Sequence, residues 1–126
     1  MPDTMQLEPE NGNGLCIRSF SEGQICVDDQ VLTGHVILTS EKIIGEWSPP
    51  PIEEMSIADF NLILEQEPEV IVFGTGIVQR FPNGALTTGI LRKGIGFEVM
   101  GTAAACRTFN VLVSEYRHVV AALLVR

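Results

Sequence analysis

Two short stretches of this chain carry residues whose types and spacing could do chemistry. In the first, the apolar run Val70-Ile71-Val72-Phe73 ends in Gly74-Thr75-Gly76. The amides of such a turn can form an anion-binding nest, and the Thr75 hydroxyl adds a donor. The spacing is neither G-x-G-x-x-G nor G-x-x-x-x-G-K-[ST], so dinucleotide or P-loop binding does not follow. The competing reading is that the glycines let the chain turn away from a buried strand. The second stretch runs from Gly101 to Asn110. Thr102 stands at an expected helix start, where free amides and the helix dipole favour an anion. Arg107, Asn110 and Ser114 follow at i, i+3, i+7, the spacing of one polar stripe. Against a ligand groove stands a solvated stripe, or a clamp that fixes neighbouring loops. The candidate ligand-binding residues are thus Gly74, Thr75, Gly76, Thr102, Arg107 and Asn110, with a small anion as the ligand they would suit.

The remaining reactive side chains assemble into nothing recognisable. Cys106 lies one turn inside the helix, where the dipole and Arg107 would lower its pKa. A thiol nucleophile also needs a base, and nothing local ties His35 or His118 to it. A buried, inert cysteine is the favoured reading. Three scattered cysteines (Cys16, Cys26, Cys106) and two histidines supply no metal-ligand spacing. No catalytic residue, metal or cofactor is therefore assigned. Trp47 is read either as an aromatic anchor for a partner or as a core plug.

These residues need elements to position them. Residues 1–14 hold two prolines and Asn11-Gly12-Asn13-Gly14 and read as a flexible lead-in, with one globular domain over 15–126. Strands are expected at Cys16 to Phe20, on either side of Asp28-Asp29 within Gln24 to Val31, at Gly34 to Ser40, and at Lys42 to Trp47, joined by tight turns as an antiparallel meander. Pro49-Pro50-Pro51 ends it. Ser56 with Asp59 opens a helix that Pro68 stops. A strand over 70–73, unalternating and so covered on both faces, leads through a helix from Pro82 to about Arg92 or Lys93, closed by Gly94. A strand follows over Ile95 to Met100, then a helix from Ala103 to about Arg117 with Thr102 as its cap, and a last strand from His118 to Val125. The second half is thus β-α-β-α-β, the pattern of parallel strands joined by crossovers. If the 95–100 strand lies parallel to the 70–73 strand, the Thr102 helix starts beside the Gly-Thr-Gly turn.

Charge and composition bound the function. The chain has 126 residues and a formal charge of −8, which argues against binding the phosphate backbone of nucleic acids. Residues 1–69 carry 14 acids against Arg18 and Lys42, whereas residues 70–126 carry six bases against Glu98 and Glu115. Such halves either attract each other across one core or face different partners. No apolar run reaches the roughly 20 residues of a membrane span, and the N-terminus has no secretory pattern. A reduced, cytoplasmic setting is expected.

The ordered set Val70 to Gly76, Arg92-Lys93-Gly94-Ile95-Gly96-Phe97-Glu98-Val99-Met100, Thr102 to Leu112, Glu115, and Ala121-Ala122-Leu123-Leu124 resembles a widespread family of small proteins of unknown function. That family has archaeal and bacterial single-domain members and includes a mitochondrial assembly factor for complex I (NADH:ubiquinone oxidoreductase). The resemblance implies a three-layer β+β/α fold, here an N-terminal antiparallel meander packed with the C-terminal β-α-β-α-β unit. It implies no established enzymatic activity, and it points to protein partners. The family's characteristic residues fall on Gly74, Thr75, Gly76, Met100, Thr102, Arg107, Asn110 and Glu115. Tyr116 stands where a small residue, often glycine, is expected. A non-enzymatic interaction or assembly-factor-like domain is the expected function, with a small-anion binder or enzyme at the Gly74–Gly76 turn and Arg107 as the alternative.

Overall fold

A computed structural model describes the backbone of Met5–Gln6 and residues 14–126 in full. Residues 1–4 and 7–13, most of the expected lead-in, lie outside the described residues. Strands β1 (Met5–Gln6), β2 (Ile17–Ser21), β3 (Gln24–Val27) and β4 (Gln30–Leu32) form one antiparallel sheet in chain order. Strands β5 (Val36–Thr39), β6 (Ile43–Glu46), β7 (Val70–Thr75), β8 (Gly96–Met100) and β9 (Val119–Leu124) form a second, ordered β6-β5-β9-β7-β8. In it β8, β7 and β9 are parallel, and β5 joins β9 antiparallel.

The meander of the first half is therefore split between two sheets. Alternation shows why. β3 exposes Gln24 and buries Ile25 and Val27, as a strand with one wet face must, whereas all four residues of β5 are buried. An unalternating run has to enter a sheet covered on both faces, and β5 does so beside β9.

The central sheet divides the core by the period-2 rule. Val70 and Val72 face one side with Ala121 and Leu123, packed against Phe20 and Ile25 of the small sheet and Phe109 of helix α3 (Thr102–Ser114). Ile71 and Phe73 face the other side with Val120 and Ala122, under helix α2 (Gly84–Leu91), helix α1 (Asn61–Leu64) and the 3₁₀ turns Ile52–Glu54 and Ile57–Phe60. The molecule is thus layered: small sheet with α3, central sheet, then the remaining helices. Trp47 is the expected core plug. Its ring meets Phe60 at 5.4 Å and Phe73 at 5.8 Å, both edge-on, and its indole N–H donates to the Asp59 carbonyl at 3.2 Å. A buried ring so held is no partner anchor.

Helix starts differ in detail from the sequence pattern. The Ser56–Asp59 box forms, with the Ser56 amide donating to Asp59 Oδ2 at 2.8 Å, but it opens a 3₁₀ turn that only later becomes α1. Helix α2 begins at Gly84 rather than Pro82, because Asn83 caps it by accepting from the Leu86 amide at 2.9 Å. Helix α3 has Gly101 at its cap position, and Thr102 is its first residue.

Candidate functional site

The helix α3 start does meet the Gly-Thr-Gly turn, and the contact is intimate. A Cβ on Gly74 would lie 2.8 Å from Thr102 Oγ1 and 3.0 Å from Leu123 Cδ2, so only glycine lets α3 approach β7 this closely. Gly76 has φ +101°, open to glycine, and a Cβ there would sit 2.6 Å from the Arg126 carbonyl. Thr102 is fully buried. Its hydroxyl donates to the Leu124 carbonyl at 2.6 Å and accepts from the Gly76 amide at 2.8 Å, while its own amide donates to the Gly76 carbonyl at 2.8 Å. Thr75 is bound in the same way. Its hydroxyl donates to the Val78 carbonyl at 2.8 Å, with the Met100 carbonyl at 3.3 Å, and accepts from the Arg80 amide at 3.1 Å. Thr75, Gly76 and Thr102 thus direct these polar groups at the ends of β7, β8 and β9.

Asn110 and Arg107 stand apart from that junction. Asn110 is eight residues along α3 from Thr102, roughly 12 Å of helix rise. It is buried, and it accepts from the Ile17 amide at 2.9 Å while donating to the Ile17 carbonyl at 3.0 Å. Arg107 is exposed. The stripe read from the spacing is therefore divided, with Asn110 turned into the contact between α3 and β2 and Arg107 turned outward.

Topology accounts for what happens at the sheet's carboxyl edge. β7 leads to α2 on one face and β8 leads to α3 on the other, as right-handed crossovers require when the strand order doubles back. Open α/β sheets bind ligands in the crevice between two such strands. Here the chain itself fills it. The Gly76 and Ile77 carbonyls and the Gln79 amide lie beside Gly101, where a Cβ would make ordinary contacts with them at 3.5, 3.7 and 3.9 Å, and the Gln79 side chain donates to the Val99 carbonyl at 3.2 Å.

An open cleft of about 310 Å³ lies beside this plug, toward the end of β9. Glu22, Glu53, Ile77, Val78, Arg80 and Arg126 are among the residues that line it. The Arg80–Glu53 pair spans 3.9 Å and is well exposed, a weak tie. The loop at its rim carries Ile77, Val78 and Phe81 at 54, 60 and 74% exposure. The sequence reading passed over these residues. Their signal was an apolar pair and a phenylalanine in a linker between strand and helix, where burial gives them no reason to be.

Cys106 is wholly buried, and burial pushes its thiol up to about 12 against the smaller opposing pull of Arg107. A thiolate nucleophile at neutral pH is not available there. Among the described residues no three His, Cys, Asp or Glu side chains group to hold a metal, and no helix is long and apolar enough to cross a membrane.

Comparison with known proteins fits the fold just described. Residues 17–124 match a family described as "Protein of unknown function (DUF498/DUF598)". The chain belongs to this family. A zebrafish (Danio rerio) relative, NADH dehydrogenase (ubiquinone) 1 alpha subcomplex assembly factor 3, is 29% identical over 94% of this chain and 68% of its own length. The 13 kDa major membrane protein of Francisella tularensis is 33% identical over 68% of this chain and 71% of its own. The NMR structure of a Xanthomonas campestris protein is similar with a TM-score of 0.80 and 34% identity, over 99% of this chain and 92% of that one. The chain spans about two thirds of the length of the assembly factors it matches. The family thus includes proteins named as complex I assembly factors, and its layered fold is the one seen here.

Proposed function

We propose that this domain acts by binding another protein, in the manner of an assembly factor, and catalyses no reaction. The observation that carries this reading is the loop after β7. Ile77, Val78 and Phe81 stand exposed at one end of the central sheet, on a segment held by Thr75 and by the Ile77 amide, which donates to the Arg126 carbonyl at 2.9 Å. Apolar side chains presented on a fixed loop are what a protein interface uses at its centre. The names of the relatives support a protein partner, and a reducing compartment suits the three free cysteines.

The test is cross-linking and affinity capture from the native host, comparing the natural chain with the Phe81→Asp, Ile77→Asp double variant. These side chains are exposed, so the variant should fold. The expected result is a defined partner captured by the natural chain and lost from the variant. The same proteins captured equally by both would overturn the assignment of this surface.

A further inference from the structure

Among the described residues, four strands stand at sheet edges: β1 and β4 in the small sheet, β6 and β8 in the central one. They differ in what they offer a further strand. β1, β4 and β6 have two, three and four residues, and an irregularity shifts the register of β6 on β5. β8 has five residues in unbroken register with β7. Short or bulged edges resist further pairing, whereas a longer, regular edge is a template for it. The Gly96 amide donates to the Glu69 carbonyl at 2.9 Å. Backbone groups alternate in direction along a strand, so those of Glu98 and Met100 also turn to β7, and those of Phe97 and Val99 turn outward. The Gln79 side chain, on the Val99 carbonyl at 3.2 Å, takes one of these outward groups. The Phe97 amide and carbonyl and the Val99 amide have no hydrogen-bond partner among the described residues.

Gln79 belongs to the loop that carries Ile77, Val78 and Phe81, so the open edge continues the apolar surface assigned to a protein partner. An extended segment laid along β8 would make main-chain bonds to Phe97 and Val99. Its alternate side chains would lie beside the half-buried Phe97 and Val99, which pack against the core side of Phe60 and Phe73. Charge adds a preference. Arg92 and Lys93, both exposed, stand just ahead of β8, in a half of the chain whose six bases outweigh Glu98 and Glu115. An acidic end of the segment is attracted there. Resting on the reading of that loop as a protein-binding surface, we propose that the partner adds an extended segment to β8 as a sixth strand of the central sheet. The segment is apolar at alternate positions and acidic at the end beside Arg92 and Lys93.

The probe is the peptide acetyl-Asp-Glu-Thr-Val-Thr-Val-Thr-Asp-Glu-amide, with a second peptide in which Lys replaces every acid, each titrated into the ¹⁵N-labelled chain at low salt. Amide hydrogen exchange reads the edge residue by residue. In the free chain Phe97 and Val99 should exchange fast beside slow Glu98 and Met100, and saturation with the acidic peptide should slow both by roughly tenfold or more. Its Kd is expected on the order of 0.1–1 mM. The Lys peptide should bind roughly tenfold more weakly, and the Arg92→Glu, Lys93→Glu double variant should reverse that order. Val99→Pro removes an outward amide and no bond to β7, so it should weaken the acidic peptide by about tenfold. If that variant does not fold, the double charge variant, altered only at exposed positions, decides. Unslowed exchange at Phe97 and Val99, equal binding of the two peptides, or slowing in the free chain that grows with its own concentration, the mark of a second copy on the edge, would each overturn the proposal. Should the Ile77→Asp, Phe81→Asp variant still lose its captured partner in that event, the loop interface stands and only the added strand is removed.

Discussion

With its amide oxygen on the Ile17 N–H and its amide nitrogen on the Ile17 carbonyl, Asn110 gives β2 the pair of bonds that a neighbouring strand would give. All four groups are buried, so none can turn to water instead. Asn110→Ala would leave the Ile17 donor and acceptor unpaired, at a cost of about 2–4 kcal/mol. Urea unfolding should show a lower midpoint at unchanged slope; an unaltered midpoint would mean that the two bonds contribute nothing net. The spacing of Arg107, Asn110 and Ser114 placed all three on one side of α3 but could not say which were covered. That depends on β2, 93 residues away in the chain from Asn110. The glycines were more legible. The reading that they exist for chain geometry has its physical counterpart in the 2.8 Å approach of Thr102 to a Cβ on Gly74, although the hydroxyl of Thr102 was expected at a cap and instead ties Gly76 to Leu124.

Among the elements, α3 ends in a way its sequence only half discloses. The Tyr116 amide donates to the Val113 carbonyl at 3.0 Å and the Arg117 amide to the Leu112 carbonyl at 3.0 Å, the two bonds of a Schellman end with Tyr116 in the left-handed position. Its φ is +60°. A small residue was expected here, and the backbone explains that expectation, since glycine takes this conformation without the Cβ penalty. Tyr116→Gly should stabilise the fold by about 1 kcal/mol, read as a higher urea midpoint. The side chain is 78% exposed. A lower midpoint would show that the tyrosine ring contributes more than the backbone strain removes. The strands tell a similar story. β7, β8 and β9 were legible as parallel from their helical connectors, whereas β5 was assigned to the meander because its neighbours in sequence are hairpin-like. The unbroken burial of Val36 to Thr39 was the sign that it belonged elsewhere.

At the scale of the whole molecule, two histidine-linked contacts set how the layers respond to acid. His35 lies at the link from the small sheet to β5, and its Nδ1 accepts from the Val125 amide at 3.0 Å, just beyond β9. Burial, and to a lesser degree Arg126, hold its pKa below the ordinary 6.5. The unfolded chain therefore takes up the proton first, and stability falls as pH drops below 6.5 toward the folded value. Glu69 is held below its ordinary 4.5 chiefly by the His118 amide, which donates to Oε1 at 2.8 Å, and also by Arg117. It acts with the same sign at lower pH, its contribution fading as the carboxylate is protonated. Urea midpoints should accordingly be level above neutrality and decline in two stages on acidification. His35→Asn keeps an acceptor near the Nδ1 position and removes the titration, so it should flatten the first stage and leave the second. A chain that gains stability between neutrality and pH 4.5, or an Asn variant with the same first-stage slope, would show that His35 does not set the acid response of the junction between the sheets.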